Sequence, residues 1–172
     1  AANGIGLAIA RHFIDKGANV MFADMDETRL ESEIGEEART EGPIRMFAGD
    51  LRQKLAITNL LSATMDAFER VDILVNASRQ ITLSDPLCIE EDAVEAMLQQ
   101  NMLTSLRLSQ LTAKRMIAQA ERDGIQGATG TIINLSSIAA TRTRPPHAAR
   151  PATSCHREPG TGRASVDRSG PQ

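Results

Sequence analysis

The sequence predicts an α/β fold built on a parallel sheet, and three observations carry that prediction. Short apolar, β-branched runs alternate with stretches of helical period through residues 1–140, the pattern of βαβ units. The run Val71-Asp72-Ile73-Leu74-Val75-Asn76 is apolar almost without a break, as expected of a strand covered on both faces. The run Gly130-Thr131-Ile132-Ile133-Asn134-Leu135-Ser136-Ser137 reads as another buried strand. It ends in two hydroxyls at the carboxyl end, where an open parallel sheet binds its ligands. Taken alone, Ser136 and Ser137 also fit a strand end that merely turns.

The elements follow in order. Ala1-Ala2-Asn3-Gly4-Ile5-Gly6 opens a helix that runs to about Lys16, with Ile5, Ile9 and Phe13 at helical spacing and Gly17 suited to end it. Glycines at a helix start let a backbone approach a phosphate, whose charge the helix N-terminus favours; two glycines there also suit an ordinary turn. Ala18 to Ala23 is a strand with Asp24 at its tip, eighteen residues after Gly6. A dinucleotide fold sets the acid that binds the adenosine ribose near that spacing. Such a carboxylate repels a 2′-phosphate and so argues for NAD over NADP. Asp24 or Asp26 could instead cap the next helix, about Glu27 to Thr40, and Asp26 suits the cap better.

Ile44 to Ala48 is a third short strand, ending in Gly49-Asp50-Leu51, and a helix follows from about Gln53 to Glu69. After Val71–Asn76 comes a loop from Ala77 to about Ile89, then a long helix from about Glu90 to Arg122. Asn101 sits in the middle of that helix, a poor helix former that also fits an exposed position. Gly124 to Gly130 leads into the Ser-Ser strand.

Composition bounds the class. The 172 residues make one domain of ordinary size. No stretch is long and apolar enough to span a bilayer, and no signal peptide is visible. Cys88 and Cys155 show neither metal spacing nor a disulfide framework, so a reducing cytoplasm is the expected compartment. Residues 1–140 carry 13 Lys+Arg against 20 Asp+Glu, and residues 141–172 carry 6 against 2. The acidic body argues against a nucleic-acid-binding face.

These residues resemble the short-chain dehydrogenases/reductases, over residues 1 to about 140. Ala1-Ala2-Asn3-Gly4-Ile5-Gly6 looks like the end of the family's Thr-Gly-x-x-x-Gly-x-Gly motif, Asp24 matches its ribose-binding acid, and Asp50-Leu51 looks like its adenine-holding pair. Val75-Asn76-Ala77-Ser78 is similar to the family's Asn-Asn-Ala-Gly, with Arg79 in place of the glycine. Asn101 falls on a helix Asn whose carbonyl is implied to hold a water in a proton relay, and Ser137 on the catalytic serine. The resemblance implies a Rossmann-like, doubly wound parallel sheet and an NAD-dependent oxidoreductase acting on an alcohol/ketone pair. The cofactor would be held by Asn3, Gly4, Ile5, Gly6, Asp24, Asp50, Leu51, Asn76, Ala77 and Ser78, with Ser137 and Asn101 on the catalytic side. It also implies a homo-oligomer paired through the helix Glu90–Arg122.

The departures are as informative. The family's Tyr-x-x-x-Lys acid/base has no match: the chain contains 0 Tyr and no Lys after Lys114, and Arg150 and Ser154 stand where the pair is expected. From Thr141 to Gln172, Val166 is the only large aliphatic residue, so a disordered tail is expected. A reading-frame shift near codons 141–146 accounts for the abrupt change; a genuine divergent tail is the alternative. The family's first strand, central in the sheet between the second and fourth, would precede Ala1, so the chain reads as a fragment that is molten or aggregating by itself. A non-catalytic NAD-binding module is the second functional reading and a methyltransferase the third, although the Val-Asn-Ala-Ser and Ser-Ser strand ends argue against the last.

Overall fold

The computed structural model describes residues 1–39, 42–82 and 93–137. Helix α1 (Gly4–Asp15) is followed by β1 (Val20–Asp24), α2 (Glu27–Arg39), β2 (Ile44–Ala48), α3 (Lys54–Phe68) and β3 (Ile73–Asn76). Then come α4 (Val94–Leu98), a π turn over Gln99–Leu103, α5 (Thr104–Asp123) and β4 (Thr131–Asn134). The loop residues 83–89, the helix start at 90–92 and everything from 138 onward lie outside the described residues. The expectations for the tail, including Arg150 and Ser154, fall there. Among the described residues no helix is long and apolar enough to cross a membrane.

The strands pair in parallel, as the alternation of elements predicts. β1 lies against β2 from Val20↔Ile44 to Asp24↔Ala48, and β3 against β4 from Ile73↔Thr131 to Asn76↔Asn134. Among the described residues these form two separate two-stranded sheets.

The two pairs are covered differently, and strand alternation explains how. On β1–β2, Phe22, Val20, Ile44 and Met46 point to one face and pack with Ala10 and Ile14 of α1 and with Leu30 and Ile34 of α2. Met21, Ala23 and Phe47 point to the other face and meet Ile57, Leu60 and Leu61 of α3 and Leu108 of α5. On β3–β4, Leu74 joins that second cluster. The opposite face leaves Ile73 45 % and Ile133 39 % exposed.

Three expectations are corrected here. β3 is not covered on both faces, and β4 is not buried. Among the described residues each has a single pairing partner, and the face that carries Ile73 and Ile133 stays open. The helix predicted from Glu90 to Arg122 is not continuous: the π turn interrupts it, with the Thr104 N–H bonded back to the Gln99 carbonyl and its Oγ1 donating to the same oxygen at 2.8 Å. Elsewhere boundaries differ by a residue or two. The predicted strand from Ala18 begins at Val20, because Gly17 (φ +83°) and its turn consume the residues before it.

α5 is held by a buried stripe at helical spacing: Thr104, Leu108, Thr112, Met116 and Ala120 are buried. Gln119 is buried beside them and makes a polar tie to β3. Its Oε1 accepts the Val71 N–H at 3.0 Å and its Nε2 donates to Asp72 Oδ1 at 3.3 Å. This satisfies a backbone donor at the strand entrance that would otherwise be desolvated.

Candidate functional site

The carboxyl ends of all four strands carry the residues singled out in the sequence. The glycine turn sits at the start of α1. A Cβ on Gly6 would lie 3.3 Å from the Ala77 Cβ and 3.5 Å from the Ala1 Cα, so only glycine allows this approach without a shift. Ala77 follows directly on β3, so the turn and the end of β3 are in contact. Asn3 is exposed and makes no side-chain cap, which leaves the first-turn N–H groups of α1 without one. Ile5 is largely exposed and Gly4 has φ +54°.

Asp24 ends β1 beside this turn. Its Oδ2 accepts the Ala2 N–H at 2.9 Å and the Ala1 amino group at 2.7 Å; that amino group also donates to the Ala23 carbonyl at 2.9 Å. Its Oδ1 accepts the Asp26 N–H at 3.2 Å. Burial pushes the carboxyl up, but the hydrogen bonds from the Ala1 nitrogen, the Ala2 N–H and the Asp26 N–H outweigh it and hold Asp24 below the usual carboxylate range. Of a carboxylate's roughly four acceptor positions, one on Oδ1 remains. The cap of α2 is supplied by Asp26, whose Oδ1 accepts the Arg29 N–H at 3.0 Å, as its position predicts.

Asp50 lies two residues past the Ala48 that pairs with Asp24, and the Gly49 N–H bonds to the Asp24 carbonyl at 2.9 Å. Its carboxylate is forked by Arg52: Nε reaches Oδ1 at 2.9 Å and Oδ2 at 3.0 Å, and Nη2 reaches Oδ2 at 2.8 Å. The guanidinium lowers the Asp50 carboxyl against a smaller opposing effect of burial. The Leu51 side chain packs against the cluster of α3 and α5.

At the ends of β3 and β4 a polar network forms. Asn76 is buried, and its Nδ2 donates to Asn134 Oδ1 at 2.8 Å and to Ser109 Oγ of α5 at 2.9 Å. The ladder continues past β4, since the Leu135 N–H bonds the Asn76 carbonyl at 3.2 Å. Asn101, in the π turn, clamps the loop after β3: its Oδ1 accepts the Gln80 N–H and its Nδ2 donates to the Gln80 carbonyl, each at 2.8 Å. A cleft of about 240 Å³ opens here, lined among others by Asn76, Ser78, Asn101, Ser105 and Asn134. Ser137, three residues past β4, is exposed. A larger concavity, about 750 Å³ and lined by Glu27, Glu31 and Arg39 among others, runs along α2 and includes none of the predicted site residues.

Sequence reasoning missed Asn134, Ser109, Gln80 and Arg52. A signal existed for Asn134, a poor strand former between Ile133 and Leu135. For Ser109 and Gln80 there was none, because both act through partners distant in sequence.

The chain matches a family model described as short chain dehydrogenase over residues 1–153. It is 30% identical to a short chain dehydrogenase/reductase of Colletotrichum higginsianum over 141 residues, 81% of this chain and 50% of that protein. It is 28% identical to the D-threitol dehydrogenase of Mycolicibacterium smegmatis, over 87% of this chain and 54% of that one. With the galactitol 2-dehydrogenase of Agrobacterium fabrum it shares 29% identity, over 83% and 52%. The chain thus spans about half the length of these curated relatives. Among solved structures, an apo SCOR enzyme from Clostridium thermocellum is similar at a TM-score of 0.68 and 26% identity, covering 84% of this chain and 54% of that one.

Proposed function

This chain belongs to the short chain dehydrogenase family of oxidoreductases, and from that premise we propose that it forms the nucleotide-holding part of an NAD-dependent enzyme acting on an alcohol/ketone pair. The observation that carries the proposal is the Asp24 carboxylate beside the glycine turn, with Oδ2 on the Ala2 N–H at 2.9 Å.

The residues fit a dinucleotide. A Cβ on Gly6 would press against Ala77 at 3.3 Å, and the first-turn N–H groups of α1 have no side-chain cap, as phosphate oxygens require. Asn3, Gly4, Ile5 and Gly6 hold the pyrophosphate. Asp24 accepts a ribose hydroxyl on its remaining Oδ1 position and repels a 2′-phosphate, which disfavours NADP. Asp50 and Leu51 line the adenine side, and Asn76, Ala77 and Ser78 the nicotinamide side. When bound, the nicotinamide supplies or takes up the hydride. Ser137 holds the substrate oxygen by a hydrogen bond, and the Asn101 carbonyl holds a water for proton relay. Two relatives are named for sugar alcohols, so polyols are the first substrates to assay.

With 0 Tyr in the chain, the family's acid/base is lacking. Loss of a positioned acid/base costs about 10²–10⁴-fold in rate, so this chain is inactive or nearly so. The same observation favours a second reading, a non-catalytic NAD-holding module that pairs with another subunit. Half-exposed Val94, Leu98, Met102, Leu106 and Ile117 along α4, the π turn and α5 support pairing through this helix. A cytoplasmic, reducing setting completes the reading. Titration with NADH and NADPH, followed by fluorescence, tests it. Binding of NADH in preference to NADPH, weakened by Asp24→Ala, supports the proposal; binding of neither overturns it. Turnover of an alcohol by the chain would remove the non-catalytic reading.

A further inference from the structure

Asn3 is the one asparagine of the chain that a glycine follows. Its side chain is exposed and makes no cap hydrogen bond. The Gly4 N–H is a first-turn donor that the helix itself cannot satisfy, and it has no partner among the described residues. Gly4 is exposed too, with φ +54°, outside the right-handed helical range, and a Cβ there would meet nothing within 4 Å. The Asn3 amide and the Gly4 nitrogen are therefore both open to water and uncrowded. The positive end of α1 favours a negative charge at that nitrogen. Elsewhere the comparable groups are held. Asn76 Nδ2 donates to Ser109 and Asn134, and Asn101 bonds Gln80 through both side-chain ends. At Asp123–Gly124, Arg122 holds the carboxylate at 2.8 Å and the Gly124 N–H donates to the Glu121 carbonyl at 3.3 Å.

From this geometry we propose that Asn3–Gly4 is a self-modification site, at which the chain converts the Asn3 amide into a carboxylate. Hydroxide removes the Gly4 amide proton, and the nitrogen attacks Asn3 Cγ to close a cyclic imide. The Cγ–Nδ2 bond breaks, and Nδ2 leaves as ammonia, taking a proton from water and returning the hydroxide. Water then opens the ring. Cleavage of the new bond at Cγ leaves an aspartyl residue at position 3. Cleavage at the backbone carbonyl leaves an isoaspartyl residue, whose main chain runs through Cγ. The net reaction consumes water and releases ammonia, with no change of oxidation state. The attack is intramolecular, so it needs no co-reactant besides water. Both products set a negative charge at the N-terminus of α1, where the helix favours it. The inference concerns the chain alone and stands apart from the nucleotide reading.

The test is mass spectrometry of the 172-residue chain, aged in buffer at neutral and at mildly alkaline pH, intact and after digestion. A gain of one mass unit in the peptide that holds Asn3 is expected, faster at the higher pH and matched by a shift to a more acidic isoelectric point. Unfolding in urea is expected to change the rate at Asn3 by no more than a few-fold, because the fold already leaves the site open. Asn3→Gln, whose longer amide closes a larger ring, is expected to lose the gain. An Asn3 peptide that stays unchanged in buffer overturns the inference, whether or not urea releases it. So does a gain that Asn3→Gln retains. Isoaspartate forming at Asp123 as fast as at position 3 overturns it as well, since the contacts that distinguish the two pairs then count for nothing.

Discussion

Asp24 shows how one side chain can be both structural and poised for a ligand. Its carboxylate is tied to the first two residues of the chain and to Asp26, so its charge is held in place rather than merely exposed. Asp50 and Asp72 are held low as well, each first by an arginine, Arg52 and Arg70. For a group whose folded pKa is depressed, the stabilisation is present above its unfolded value and lost as pH falls through the folded one. Helicity followed by circular dichroism is therefore expected to stay level from neutral pH down to about 4 and to fall only below it. A loss already complete by about pH 5 would contradict this sign. Asp24→Asn removes the charge but keeps the shape; it is expected to weaken NADH binding and to shrink the margin over NADPH in the same titration.

Among the elements, α5 and the π turn decide where the site residues stand. Gly130 opens the way for β4 to approach α5: a Cβ there would come 2.5 Å from Met116 Sδ and 3.0 Å from the Asp72 carbonyl. Met116 is 3 % exposed and has little room to yield. Gly130→Ala is thus expected to cost about 1–3 kcal/mol through overpacking, read as a lower urea midpoint. Gln119→Leu strands the Val71 N–H and is expected to cost about 1–3 kcal/mol as well, the penalty of a desolvated donor left unpaired. The Asn101 clamp makes a separate claim. Asn101→Ala should speed hydrogen exchange at the Gln80 amide while leaving amides in the centre of α5 unchanged, since only the loop loses its tie.

For the molecule as a whole, the decisive feature is the division of the strands into two pairs. Among the described residues β1 and β3 each have one pairing partner, and the β3–β4 face carries exposed Ile73 and Ile133. Unpaired edges and open apolar faces invite association. The isolated chain is expected to bind a hydrophobic dye and to associate with rising concentration in sedimentation. A monomer with a cooperative thermal transition and sharp near-UV signals would show that the two pairs suffice for a native core.

What the sequence determined by itself is the order of the elements, the parallel pairing and the family. These follow from local signals: strand and helix periods, the glycine turn, and polar residues at strand ends. It also pointed to Asp26 as the cap of α2, since capping acts over three residues. Only the tertiary structure decided the rest. That Arg52 forks Asp50, that Asn101 bonds the Gln80 backbone from the π turn, and that Asn76 joins Asn134 to Ser109 are contacts of side chains whose orientation no local pattern encodes. Burial of β3 and β4 was misjudged for the same reason. An apolar run records what a strand can bury, whereas the neighbours on its edges and faces determine what it does bury.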